Sequence, residues 1–207
     1  MTRSKRMTMQ NPLARASEIS NWIDSSIHGI EIPSGDREAM AGALFDQVHE
    51  HHKAILLLLK NLFVGSAFSL VRPTLETFVR GVWLWRCASD GEVVSFARDN
   101  IGGKSFGTII EEIEAKPGWD VGVLSKVKKE AWSAMCSYAH GGYLQAVRRV
   151  IPDEIRPNYT EGEILEVINS STAIALLAAS EIFSMAQRKD LLEAVLEQMR
   201  GVALASE

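Results

Sequence analysis

The chain has 207 residues, 46% of them hydrophobic, which is enough for one sizeable core and fits a single domain. A formal net charge of -4 and a pI of about 5.8 exclude a global basic field that would recruit nucleic acid, so any such contact needs a local cluster of Lys and Arg. The two cysteines, Cys87 and Cys136, lie far apart in the sequence, which excludes a disulfide framework and a zinc-ligand spacing and points to a reducing cytoplasm.

Residues 1–12 begin with Arg3, Lys5 and Arg6 and lead into Asn11-Pro12 without the apolar core of a secretory signal. They read as a flexible tail, and 13–207 as one all-α domain, a bundle of about seven helices. Helical spacing predicts a first helix over 13–27, a turn at His28-Gly29 and Pro33-Ser34-Gly35, and a long helix over 36–61. Gly65 permits a break before a helix over 66–88, and Asp90-Gly91 separates that from a shorter one over 92–100. After the loop Ile101-Gly102-Gly103-Lys104 come a helix over 106–115, stopped by Lys116-Pro117-Gly118, and one over 121–150 that Gly141-Gly142 can bend. Thr160 and Glu163 have capping-box spacing at the head of a helix to about 187, and a last helix covers 189–204. No segment alternates in the manner of a strand, and the uncharged stretches 61–71 and 167–180 fall short of the roughly 20 residues that span a bilayer, so no membrane helix is expected.

The helix over 66–88 sets Ser69, Arg72, Glu76 and Arg80 along one stripe, because residues three and four apart lie side by side. A carboxylate between two guanidiniums is a built-in pair, and Val79 and Trp83 share its sector, so the stripe suits a cleft as well as a solvated face. The second polar signature is Ser137-Tyr138-Ala139-His140-Gly141-Gly142, where His140 sits beside two glycines that admit a ligand or another backbone. A third cluster is His49, His51 and His52, of which His51 projects near the centre of the helix's leucine face while His49 points away. His51 is therefore expected to bond a polar group on a neighbouring helix, with Glu76 as its partner. His49 and His52 lack the carboxylate that completes a helical metal motif, so no metal is expected. Gly102-Gly103-Lys104-Ser105 resembles only the tail of a phosphate-binding loop, since position 98 is Arg and no strand precedes it, and no cofactor is expected. Arg148-Arg149 with Arg156 reads as a solvated loop end.

The segments Ser69-Leu70-Val71-Arg72-Pro73-Thr74-Leu75-Glu76 and Ser137-Tyr138-Ala139-His140-Gly141-Gly142 together resemble a group of uncharacterised bacterial helical proteins. These carry an R-P-x-x-E segment on one long helix and a tyrosine-x-histidine segment on a later one. The resemblance spans about 42–150 and implies conserved-looking polar positions at Arg72, Glu76, Tyr138 and His140, and the group brings no established activity with it. A looser similarity is to HEPN helical domains of toxin-antitoxin and phage-defence ribonucleases, which carry an arginine followed by four to six residues and then a histidine. This sequence departs from that spacing: no arginine lies at such a distance before His140, and the bases in the stretch preceding it are Lys126, Lys128 and Lys129.

From these residues the expected protein is a helical interaction or ligand-binding module, a homodimer from a bacterial defence or stress operon. Arg72, Arg80 and Ser69 would hold a small anion or a protein partner's carboxylate, with Glu76 orienting them. The rival expectation is a hydrolase acting on RNA, with His140 as general acid or base and Arg72 stabilising phosphate charge. A third makes the same residues a buried network that fixes helix packing.

Overall fold

The structure is a computed structural model and describes residues 3–100 and 104–204. Its helices run in the order α1 (Arg3–Ile27), α2 (Asp36–Lys60), α3 (Val64–Arg86), α4 (Asp90–Phe96), α5 (Phe106–Glu114), α6 (Val123–Ala139) and α7 (Tyr143–Val147). A two-stranded hairpin follows, β1 (Val150–Ile151) with β2 (Glu154–Ile155), then α8 (Glu161–Met185) and α9 (Lys189–Leu204). The protein is all-α.

Two helices hold the rest together. α3 packs against α2, α5, α6 and α8, and α8 packs against α1, α2, α3 and α9. α2 and α3 pack tightly, and a Cβ on Gly81 would meet the Phe45 ring at 2.6 Å. Glycine there lets Phe45 reach Phe78, and the two rings lie 6.3 Å apart, both fully buried. Trp83, Val79, Val82 and Leu84 complete this centre with Phe183 of α8, each large side chain stabilising the fold by about 1.5–3 kcal/mol over leaving it in water. A second, smaller cluster joins Ile55, Leu59, Phe68 and Ile168 at the other end of α2, α3 and α8.

Among the described residues, α8 is the one helix long and apolar enough to cross a bilayer by length and composition. It is a core helix, with Ser171, Thr172, Ala175, Leu176, Ala178 and Ala179 all buried among its neighbours. These small side chains let four helices approach it.

Sequence signals and structure part at several boundaries. α1 begins at Arg3 and runs through Pro12 instead of starting at 13; residues 1–2 lie outside the described residues. α4 begins at Asp90, two residues early, because Ser89 and Glu92 form a capping box. The expected helix over 121–150 is two helices and a strand. α6 ends in a Schellman turn, with Gly141 at φ 65 and the Gly142 amide donating to the Ser137 carbonyl at 2.7 Å. Gly142 has no room for a side chain either, since its Cβ would lie 2.6 Å from Ser137 Oγ. The hairpin turns at Pro152-Asp153, where proline presets φ and Asp153 accepts φ 66. The Thr160–Glu163 box caps α8 as the spacing predicts, with Glu163 N donating to Thr160 Oγ1 at 3.2 Å and Thr160 N to Glu163 Oε2 at 2.8 Å.

Candidate functional site

The polar stripe of α3 faces α5 and α6. Arg72 is its organiser: Nε donates to Glu76 Oε1 at 2.9 Å, Nη2 lies 2.9 Å from the same oxygen, and the guanidinium carbon sits 4.7 Å from the centre of the Trp132 ring on α6. Trp132 is in turn stacked on Phe106 of α5, with centroids 4.4 Å apart and planes within 16°. The remaining Nη1 touches His140 Nε2. Arginine has no acceptor, so Nε2 must offer its lone pair, which puts the ring proton on Nδ1. His140 itself is exposed, at the C-cap of α6, whereas the Arg72 and Glu76 side chains are each 19% exposed.

The turn that carries His140 is held from α3. Ser69 Oγ donates between the carbonyls of Gly65 at 3.0 Å and Tyr138 at 2.9 Å, and accepts from Gln145 Nε2 at 3.2 Å. Tyr138 offers its backbone to this contact, while its ring packs on Phe68 at 5.0 Å and its side chain bonds Arg148, which also pairs with Glu163. Tyr138 therefore braces the site from behind. Ser137 Oγ accepts the Leu144 amide at 2.9 Å and so caps the start of α7.

Arg80 lies farther along the stripe, half-buried, with no hydrogen bond or ion pair among the described residues. Glu76 is held by Arg72 and does not bridge the two arginines as the sequence suggests. Beyond Arg80 the stripe ends in a closed cluster. Trp83 Nε1 donates to Glu112 Oε2 at 2.6 Å, and Lys104 Nζ bonds both Glu112 oxygens at 2.6 and 2.8 Å and lies 5.0 Å from the Trp83 ring centre. Lys104 also pairs with Glu92, whose carboxyl its ammonium pulls down to about 2. Lys104 is thus committed to two carboxylates, and Ser105 caps α5 through the Thr108 amide at 3.1 Å, so these two residues do not serve a phosphate loop. Positions 101–103 of that loop lie outside the described residues.

The histidine cluster is a correction. His49 and His52 are the inward residues, 4% and 1% exposed, and His51 is only partly buried. His49 Nε2 lies 3.1 Å from the Ala175 carbonyl and His52 Nδ1 3.2 Å from Ser171 Oγ, both on α8. Burial holds both imidazoles neutral and pushes His52 down to about 4. His51 does not pair with Glu76, and its Nδ1 is buried without a partner among the described residues. His51 consequently lies outside the site. No group of three His, Cys, Asp or Glu suited to a metal occurs among the described residues, and Cys87 and Cys136 are free thiols.

Trp132 is the residue that the sequence reading misses. It stands four and eight residues before Cys136 and His140, on their face of α6, so helical spacing contained the signal. Cation-π contact with an arginine on another helix leaves no mark in one sequence.

α3 and α6 of this all-α fold thus join an arginine-glutamate pair to an exposed histidine. The chain belongs to a family of unknown function, DUF6988, whose model matches residues 45–202. That range contains Arg72, Glu76, Trp132 and His140 and leaves α1 outside. No curated protein and no solved structure matches the chain.

Proposed function

We propose that the protein is a helical ligand-binding module that takes an anion, a phosphate or a carboxylate, at Arg72, His140 and Arg80. The observation that carries this reading is the preorganisation of Arg72, fixed by Glu76 on one edge and Trp132 on one face while its Nη1 meets the exposed His140 ring. A guanidinium held this way loses little freedom on binding, and the exposed His140 ring is the group that an anion reaching Nη1 meets. Arg80, without an ion-pair partner among the described residues, adds charge on the same helix face. Calorimetric titration with inorganic phosphate and with acetate tests it. Wild type should bind one of them saturably, and Arg72→Lys should bind it about tenfold more weakly because lysine keeps the charge but not the fork. Equal binding by the two proteins contradicts the reading.

A second reading, hydrolysis of RNA, is favoured by one feature: the exposed imidazole of His140 touches a guanidinium able to neutralise phosphate. Degradation of RNA by wild type and not by His140→Ala supports it; equal degradation by both, or by neither, removes it.

A further inference from the structure

We propose that the groove between α1 and α2 is a docking site for an amphipathic helix of an acidic partner protein. The groove encloses about 820 Å³ and shares no residue with the anion site. Its walls are two helical ridges. Leu13, Ser17 and Asn21 rise from α1 at four-residue steps, and Leu56, Leu57 and Lys60 rise from α2. The channel therefore follows the helix axes for about two turns, the shape that a third helix fills. Ser17 and Asn21 are too small and polar to close it from the α1 side.

Charge selects the partner. The charged residues lining the groove among those described are Lys53 and Lys60, and no carboxylate lines it. Lys53 is matched by Asp24 at 2.7 Å, and Lys60 makes no ion pair among the described residues. A second copy docking through the same groove would bring lysine toward lysine, whereas a helix with glutamates beside its apolar stripe complements it.

The surface at the end of the groove is costly to display. Leu57 and Leu62, both lining the groove, are 62% and 53% exposed, and Phe63, next in the chain after Leu62, is 60% exposed. Leu62 occupies the left-handed position of a Schellman turn at φ 64, with its amide donating to Leu59 O at 3.1 Å and that of Phe63 to Leu58 O at 2.8 Å. Glycine is the ordinary occupant of that position. A leucine there carries backbone strain that its half-exposed side chain does not recover by burial. A displayed apolar strip edged by lysine marks an interaction surface.

The test is fluorescence anisotropy with a labelled helical peptide bearing a leucine stripe flanked by glutamates, against the same peptide with lysine at those positions. The full chain and its Leu57→Glu, Lys60→Glu and Leu62→Gly variants are titrated, with circular dichroism confirming each fold. The glutamate peptide alone should bind saturably, about tenfold or more weakly to Leu57→Glu, and less tightly to Lys60→Glu and at high salt. Leu62→Gly should melt higher and bind more weakly. Equal binding of the lysine peptide, no binding, or an unchanged affinity of Leu57→Glu overturns the proposal. Self-association abolished by Leu57→Glu would assign the strip to a second copy, and sedimentation with phosphatidylserine vesicles abolished by that change would assign it to a membrane; either overturns it too.

Discussion

The Ser69 hydroxyl lies 2.9 Å from the Tyr138 carbonyl, so a serine one turn before Arg72 on α3 grips the turn of α6 on which His140 sits. The last carbonyls of a helix have no partner within it, and Ser69 supplies one from a neighbouring element. The two sequence signatures, sixty-eight residues apart at Arg72 and His140, meet because this contact and the Schellman turn fix where α6 stops.

Removal of that hydroxyl should loosen the turn. Ser69→Ala is expected to cost about 1 kcal/mol, a drop in melting temperature of about 2–4 °C for a chain of this size. Its amide exchange should quicken at Gly142 and His140 and stay unchanged in α2, which hydrogen-exchange mass spectrometry reads directly.

Gly81 and Gly91 make a paired test of packing. Gly81→Ala places a methyl 2.6 Å from the Phe45 ring and should destabilise by about 1–3 kcal/mol in a urea melt. Gly91→Ala, in α4 with nothing within 4 Å of the new carbon, should be neutral or stabilise by up to about 1 kcal/mol.

The buried pair His49 and His52 sets the acid side of stability. Both fold with lowered proton affinity, His52 at about 4 against an ordinary 6.5, while the unfolded chain protonates its histidines normally. Between about pH 6.5 and 4 the unfolded state thus binds more protons, so stability is full above that window and falls as pH drops through it. The His52 share is roughly 3 kcal/mol at about 1.4 kcal/mol per unit. Thermal melts from pH 7.5 to 4.5 should show the decline, and His52→Gln should flatten it.

Much of this molecule was legible in its sequence. Apolar periodicity gave the helix class, Thr160 and Glu163 marked the head of α8, and four-residue spacing put Arg72 beside Glu76. What escaped has physical reasons. Leu58, Leu59 and Leu62 drew the projected core face of α2 toward His51, yet α2 is covered by α8 as well as α3, and the second cover buries His49 and His52 while Leu62 faces water. Gly141-Gly142 allowed a bend or a stop, and only the left-handed turn at Gly141 and the crowding at Gly142 decide for the stop. Trp132 and the Ser69 contact depend on which helices become neighbours, which spacing within one helix does not encode.

Nitrogen-15 NMR of the His140 ring, free and with inorganic phosphate, bears most directly on the site. The Arg72 contact predicts an Nδ1–H tautomer in the free protein, and a saturable phosphate-induced shift of that nitrogen that Arg72→Lys weakens. An Nε2–H tautomer, or a ring indifferent to phosphate and to Arg72→Lys, would contradict the account.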